Sequence, residues 1–410
     1  MNIRMNNIKN NKYALLVALM ITIQFINEVI VEIIGNEVSV MPALFVLLFL
    51  YYIFISLRHG VLNFKISYII IGLLISTYYC ISYLLYSDVI SVSLTFFFGF
   101  CFMPYLFMYK QVDTKLVITY VVKISVIAIP VVNGIFNYSQ SGVLYNSIPM
   151  GMAYAILPVI ISSFVHFIYY RKSSTLWVKI AYVANLYYLV KLLSLGNRGI
   201  ILSLIFALIL VYLIRFDKNG HRIFKNSYLF ITQIIIVSLT VGIIIVNFQQ
   251  FFIIIYNKLN AFGINPAFLS KTNFLLANGN VDNGRIELIS LGLNGFIKSP
   301  LWGNGIGVFG VNNTLGLYPH NLFVQLLYDG GLILTVPIVY LLLSCTIRIF
   351  KTTQLNQGFP LFILLFSTSI PRLMVSADIW KVQTFWMLLA FVIVNFSSHM
   401  TVDSGKDKEI

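Results

Sequence analysis

Long apolar runs separated by short polar segments make up most of the 410-residue chain. Runs of about 18 or more apolar residues are typical of membrane-spanning helices, and their continuity excludes the short alternating strands of a barrel. The pattern therefore predicts an all-α polytopic membrane protein with about 12 transmembrane helices. We place them at residues 13–34, 41–57, 66–86, 89–109, 116–136, 150–170, 176–195, 199–216, 228–248, 321–350, 359–376 and 382–396.

The tenth run is longer than a bilayer requires, and it contains Asp329-Gly330-Gly331. We therefore expect the first part of this run to lie at the membrane interface. No repeat or linker divides the chain, so we interpret residues 1–410 as one membrane domain with a single large loop, residues 249–320.

The second half of this loop carries a helical pattern. Apolar residues recur at Ile286, Ile289 and Leu293, and again at 296–297, which predicts an amphipathic helix on the membrane surface. Asn283 is the expected N-cap, and Pro300 is expected to end the helix.

Composition and charge support this interpretation. The chain is 59% hydrophobic and 10% charged, whereas a soluble protein is about 25% charged. Its net charge of +14 comes from short basic clusters between apolar runs, which indicates a positive-inside membrane protein and no nucleic-acid partner. Placing both termini in the cytoplasm puts 18 Lys/Arg inside and 7 outside, with loop 249–320 on the outer side. The first run lacks a small-residue cleavage site and is expected to remain as an anchor.

The glycine pattern Gly305-x-Gly307-x-x-Gly310 matches a dinucleotide-binding fingerprint. No strand precedes it, and the predicted outer location is wrong for a nucleotide. We instead expect a tight turn that requires positive φ angles.

His320 is the only histidine on the predicted outer side, at the point where the loop re-enters the membrane. An imidazole titrates near neutral pH and can accept a proton from a sugar hydroxyl. The alternative is a structural role, such as capping the next helix.

Arg198 lies in a four-residue outer turn, where positive residues are disfavoured. It either snorkels to lipid phosphates or binds a substrate phosphate, and Arg285 is its natural partner in holding a pyrophosphate. Lys191, two helical turns below Arg198, either snorkels or adds charge to the same pocket.

Two segments resemble the bacterial O-antigen ligase and polymerase superfamily. One is Asn197-Arg198-Gly199 followed by an apolar run, and the other extends from 284 to 331 and contains GLNGFIKSPLWGNGIGVFG and PHNLFVQLLYDGG. The resemblance implies an inner-membrane protein whose core is similar to that of GT-C-type glycosyltransferases. It also implies that Arg198 and Arg285 engage the pyrophosphate of an undecaprenyl-diphosphate-linked glycan, while His320 activates the acceptor hydroxyl.

This implied chemistry needs neither a cofactor nor a metal ion, because two arginines can stabilise the diphosphate leaving group. Attack at the anomeric carbon then predicts inversion. Glu287 is expected to orient Arg285 or contact substrate, and Trp302, Phe309 and Tyr318 either stack on sugar rings or pack the loop.

The leading hypothesis is an O-antigen polymerase of lipopolysaccharide biosynthesis, which transfers a growing glycan from undecaprenyl diphosphate to the non-reducing end of a lipid-linked repeat unit. The first alternative is an O-antigen ligase, with lipid A–core as acceptor. The second is a flippase or transporter of the lipid-linked unit, which the absence of a repeated half disfavours. Expected partners are the glycan donor and acceptor, membrane lipid, a chain-length regulator and a flippase.

Overall fold

The computed structural model describes residues 2–34, 39–59, 66–86, 97–108, 112–129, 148–195, 198–214, 257–258, 261, 284–310, 318–351, 358–375 and 377–403. Within these ranges the secondary structure is entirely helical, with 13 α-helices and no strand. The predicted all-α class is therefore confirmed for this part of the chain. The run at 228–248, most of the loop before 284, Asn283 and the side chains of Lys191 and Arg198 lie outside the described residues.

The α-helices are numbered in chain order, with a π-helix at Phe98–Phe102 directly preceding α5. Their bounds are α1 Asn2–Ile21, α2 Ile23–Ile34, α3 Met41–His59, α4 Ile66–Tyr86, α5 Met103–Phe107, α6 Thr114–Ile124, α7 Ile148–Tyr170, α8 Leu176–Leu195, α9 Arg198–Leu213, α10 Arg285–Lys298, α11 Leu322–Lys351, α12 Phe359–Val375 and α13 Gln383–Asp403.

Three of the described helices are long and apolar enough to cross a membrane, at Met41–Arg58, Gly151–Tyr170 and Leu322–Ser344. The bent pair α1 and α2 provides a fourth when it is treated as one span. Several shorter apolar helices accompany them, including α9 and α12. The total of twelve spans, the orientation and the single-domain organisation stay predictions.

The first predicted span, 13–34, forms two helices inclined at 65° on either side of Thr22. The Thr22 hydroxyl donates a hydrogen bond of 2.8 Å to the carbonyl of Ala18, one turn earlier. Such back-bonding by threonine is associated with helix bending. The run remains apolar through the bend. Its hydropathy therefore predicts one helix where the structure has two.

Helix α7 is the centre of the bundle. It packs against α2, α6, α8, α9 and α12, and its side chains from 152 to 163 are all buried. Helices α12 and α13 pack against each other, and the stacked indoles of Trp380 and Trp386, 5.2 Å apart, are fully buried between them and their neighbours. This buried core positions α12, which packs against both α7 and α11.

Helix α11 is broken at Gly331, whose φ of 57° and ψ of −156° are not helical. The segment that follows α10 supplies the missing hydrogen bonds. The amides of Asn304 and Gly305 donate to the carbonyls of Tyr328 and Asp329, while the amides of residues 332 and 333 donate to the carbonyls of residues 300 and 301. The helical bonds between residues 328 and 332 and between residues 329 and 333 are thus replaced by bonds to this segment, as buried backbone requires. The break falls within the Asp329-Gly330-Gly331 segment of the tenth run, and the interfacial position of the first part of that run stays a prediction.

Helix α10 ends before Pro300, as predicted, but its predicted N-cap is wrong. The residue that precedes the helix is Gly284, with φ of 73° and no side-chain cap, because the chain enters through a left-handed turn that favours glycine. The face of α10 that packs against α11 is also not the apolar stripe that the sequence predicts. Gly292 and Gly295 lie against Val324 and Tyr328 of α11.

The apolar stripe of α10 faces away from the rest of the protein. Ile286 and Ile297 are each 70% exposed, and Leu293 is also exposed. In water such a stripe is unfavourable, whereas lipid accommodates it. The position of α10 on a membrane surface stays a prediction that this exposure supports.

Candidate functional site

His320 lies immediately before α11 in an unusual backbone conformation. Its φ of 56° is the only positive φ of a non-glycine residue within the described ranges. The cap of α11 belongs to its neighbour, since the Asn321 side-chain oxygen accepts hydrogen bonds from the amides of Phe323 and Val324 at 3.1 and 3.2 Å. Asn321 therefore caps α11, and His320 does not have the structural capping role that was its alternative. Strained backbone of this kind concentrates at functional sites.

The His320 imidazole is partly buried beside an aromatic ring. The ring of Tyr318 lies 4.3 Å from it, centroid to centroid, and Nδ1 is buried with no hydrogen-bond partner among the described residues. Burial, followed by the positive charge of Arg285, lowers the pKa of His320 to about 4. The imidazole is therefore neutral at physiological pH and retains a lone pair that can accept a proton.

Arg285 is the first residue of α10 and is close enough for its charge to act on both His320 and Tyr318. The helix dipole places partial positive charge at a helix N-terminus and therefore disfavours a cation there. The dipole and the charge of Arg285 together make this point strongly electropositive. Glu287 is exposed. It forms no ion pair with Arg285 in the part of the chain that the structure describes. Helix residues two positions apart do not face each other, so the expected orienting role of Glu287 has no support in this geometry.

Tyr318 is close enough to two guanidinium groups for the charges of both to act on its hydroxyl. Burial raises the pKa of its hydroxyl to about 12, assisted by the negative charge of Asp378, while the positive charges of Arg372 and Arg285 oppose that rise. Arg372, in the last turn of α12, lies over the ring of Tyr154 with its Cζ 4.0 Å from the ring centroid. Arg285, Tyr318, His320, Arg372 and Tyr154 are called the His320 site below.

Buried hydrogen bonds hold the end of α12 beside the start of α11. The Gln325 amide donates to the Asp378 carboxylate at 2.7 Å, and the amide of Ile379 donates to the Gln325 side-chain oxygen at 3.0 Å. One turn further along α11, the indole of Trp380 donates to the Asp329 carboxylate at 2.6 Å. Asp329 thus anchors the segment that follows Arg372.

Arg372 belongs to this site, although the sequence interpretation assigned it no role. The available signal was a basic residue near the outer end of a predicted span, where positive charge is disfavoured. Its contact with Tyr154 depends on the packing of α12 against α7, and no pattern within either helix reveals that packing.

The other predicted residues occupy different surroundings. The backbone of Arg198 begins α9, a helix that packs against α7 and α12, and Lys191 lies in the last turns of α8. The indole of Trp302 is 64% exposed and is therefore not a packing residue of the loop. Phe309, in contrast, is buried against Tyr328 with ring centroids 5.0 Å apart and packs the loop.

The glycine pattern has the predicted geometry, because Gly305 and Gly307 have φ values of 104° and 75°. Across the described residues, no group of three or more His, Cys, Asp or Glu side chains is arranged to hold a metal ion. The site consists instead of cations, aromatic rings and a neutral imidazole, a set suited to an anionic ligand that carries apolar or sugar groups.

The fold and the site together define a helical protein with membrane-length apolar helices and an electropositive site at the helix ends. Comparison with known families agrees, since residues 183–339 match a family model described as O-antigen ligase. That family covers O-antigen polymerases and ligases, which are membrane-embedded, glycosyltransferase-like enzymes acting on lipid-linked glycans. The resemblance to this superfamily is thereby confirmed, over a region that includes Arg198, Arg285 and His320 and ends before Arg372. Comparisons with curated proteins and with solved structures gave no match.

Proposed function

We propose that this protein is an O-antigen polymerase of the bacterial inner membrane. It transfers the growing glycan from undecaprenyl diphosphate to the non-reducing end of a lipid-linked repeat unit, in the periplasmic leaflet. The observation that carries the proposal is the neutral imidazole of His320 beside the positive charge of Arg285, with its Nδ1 lacking a hydrogen-bond partner among the described residues. A base next to a phosphate-binding cation is what transfer from a glycosyl diphosphate requires.

In this proposal Arg198 and Arg285 hold the diphosphate of the donor. Both are the first residue of a helix, and helix N-termini attract anions through their free amides and dipole. An arginine at that position is disfavoured until an anion compensates its charge, and a bound diphosphate does so. The packing of α9 against α7 and α12 supports a position of the Arg198 backbone near the His320 site. Lys191 stays a proposed source of further positive charge for the diphosphate.

The reaction then proceeds without a metal ion or cofactor. The acceptor hydroxyl gives its proton to the His320 imidazole as its oxygen attacks the anomeric carbon of the donor. The bond between that carbon and the phosphate oxygen breaks, and its electron pair leaves on undecaprenyl diphosphate, whose charge the arginines stabilise. A single displacement inverts the anomeric configuration. Tyr318 and the exposed indole of Trp302 provide aromatic surfaces for the sugar rings.

A ligase is the second candidate, because the matched family model carries that description. Lipopolysaccharide from a deletion strain separates the two on a gel. Loss of a polymerase leaves one repeat unit on the lipid A–core, and complementation with the wild-type gene restores the ladder. Loss of a ligase leaves a core with no repeat unit, and that pattern would contradict the proposal. A flippase is tested by the same strain carrying His320→Asn. A flippase needs no base, so the full ladder would persist, whereas a polymerase is expected to leave single units.

The pKa of His320 predicts the acid limit of the transfer reaction. The neutral imidazole is the active form, so kcat/KM is expected to fall only as the pH falls through about 4, well below the ordinary histidine value. Arg285→Gln removes one of the two causes that lower this pKa, and the acid limb is expected to move to higher pH. The measurement is a pH profile of transfer between lipid-linked units by the purified protein, normalised for each variant. An unchanged acid limb in Arg285→Gln would show that Arg285 does not act on the base.

A further inference from the structure

Arg372 is a half-buried cation that forms no ion pair with the described residues. Its Nε is buried and has no hydrogen-bond partner among them, and the one ion pair formed within the described ranges joins Lys381 and Asp378. The Tyr154 ring, 4.0 Å from the guanidinium carbon, compensates part of the lost hydration through a cation–π contact. Stacking on a ring face leaves the in-plane N–H donors available to a ligand. The buried Nε–H is costly to leave without an acceptor, and an anionic ligand would supply both an acceptor and the missing negative charge.

The position of Arg372 identifies the ligand. The hydrogen bonds from Gln325 to Asp378 and from Trp380 to Asp329 fix the end of α12 against the first turns of α11, which begins next to His320. Tyr318 contacts the His320 ring and lies within reach of the charges of both Arg285 and Arg372. Two buried polar atoms that lack hydrogen-bond partners among the described residues, His320 Nδ1 and Arg372 Nε, thus belong to side chains that both act on one tyrosine.

We infer that Arg372 binds a phosphate group of the lipid diphosphate donor and holds the leaving group beside His320 together with Arg285. This inference rests on the proposed function, and it adds a binding residue that lies beyond the matched region 183–339. A planar guanidinium fork accepts two phosphate oxygens at once. As the bond from the anomeric carbon to the phosphate oxygen breaks, Arg372 stabilises the charge that collects on the diphosphate and exchanges no proton.

The rival explanation is structural, with Arg372 serving only to support Tyr154. The two explanations differ in ligand binding. The probe is undecaprenyl diphosphate, and its affinity is measured for the full-length protein in phosphatidylcholine nanodiscs. Removing one charge-assisted contact in Arg372→Gln is expected to weaken binding about 10- to 100-fold. Arg372→Lys keeps the charge but loses the fork, so a smaller loss is expected. Lys298→Ala, which removes an exposed cation from the last turn of α10, is expected to bind like the wild type.

The outcomes separate this inference from the proposed function. If the wild type does not bind undecaprenyl diphosphate, the donor itself is wrong and both fail. If the wild type binds and Arg372→Gln binds equally well, only the inference fails. If phosphatidylglycerol in the nanodiscs displaces the probe as effectively as undecaprenyl phosphate does, Arg372 binds a lipid headgroup and the inference is overturned. If Arg372→Gln melts at a lower temperature than the wild type, Arg372→Lys decides between the two explanations. Weaker binding by Arg372→Lys at an unchanged melting temperature supports a ligand contact. Unchanged binding by Arg372→Lys refutes it.

Discussion

Replacing His320 with asparagine is expected to slow glycan transfer about 100- to 10,000-fold, the contribution of a positioned general base. Asparagine tolerates the positive φ of 56° at this position, so the start of α11 is preserved while the group that accepts the proton is lost. In cells, the variant is expected to leave single repeat units on the lipid A–core. Transfer between lipid-linked units by the purified variant measures the loss directly.

The control for this variant is the neighbouring residue. Asn321→Ala removes the two capping hydrogen bonds of α11 and is expected to cost about 1 kcal/mol of stability. Transfer by Asn321→Ala is nevertheless expected to stay within a few-fold of the wild type, because the base remains. Equal losses in the two variants would mean that this segment matters for its shape alone, and His320 would lose its proposed role as a base.

Much of the helical fold could be predicted because apolar runs in lipid have few alternatives to helix. Helices α4 and α8 have the predicted bounds, and Pro300 lies just beyond the end of α10 as expected. Departures arise where a local hydrogen bond or turn decides the geometry. Thr22 bends a run whose hydropathy is continuous, and Gly284 precedes α10 where Asn283 was expected as the cap.

The site was predictable in part, for a different reason. His320 and Arg285 were recognisable because polar residues are rare in this chain and these two lie within a specific motif. Arg372 carries an equally costly charge, but its significance depends on Tyr154 and Tyr318, which lie far from it in sequence. The packing face of α10 was hidden because its glycines contact α11, whereas its isoleucines face outward as a lipid-facing stripe would. In a membrane protein, apolar periodicity does not distinguish a face buried in protein from a face exposed to lipid.

Gly331→Ala is expected to destabilise the folded protein by about 2 kcal/mol or more, because strain and overpacking combine. The φ of 57° and ψ of −156° at this break suit glycine alone. A Cβ there would also lie 2.5 Å from the carbonyl carbon of Leu301 and 2.7 Å from the amide nitrogen of Gly303. Both neighbours are backbone atoms of the segment that replaces the lost helical bonds, so neither can move aside without breaking those bonds. Thermal unfolding in detergent measures the effect.

Two further glycines make this prediction specific. Gly303 lies in the loop segment that contacts the break in α11. Its φ is 71°, and a Cβ there would lie 2.6 Å from the backbone of Asp329. A similar loss of stability is therefore expected for Gly303→Ala. Gly151→Ala in α7 has nothing within 4 Å of the new Cβ, and removing a helical glycine is expected to be neutral or stabilising. If Gly331→Ala and Gly303→Ala melt like Gly151→Ala, the loop is not docked into the break in α11. The position of His320 would then need another explanation, because this docking holds the first turns of α11 beside the end of α10.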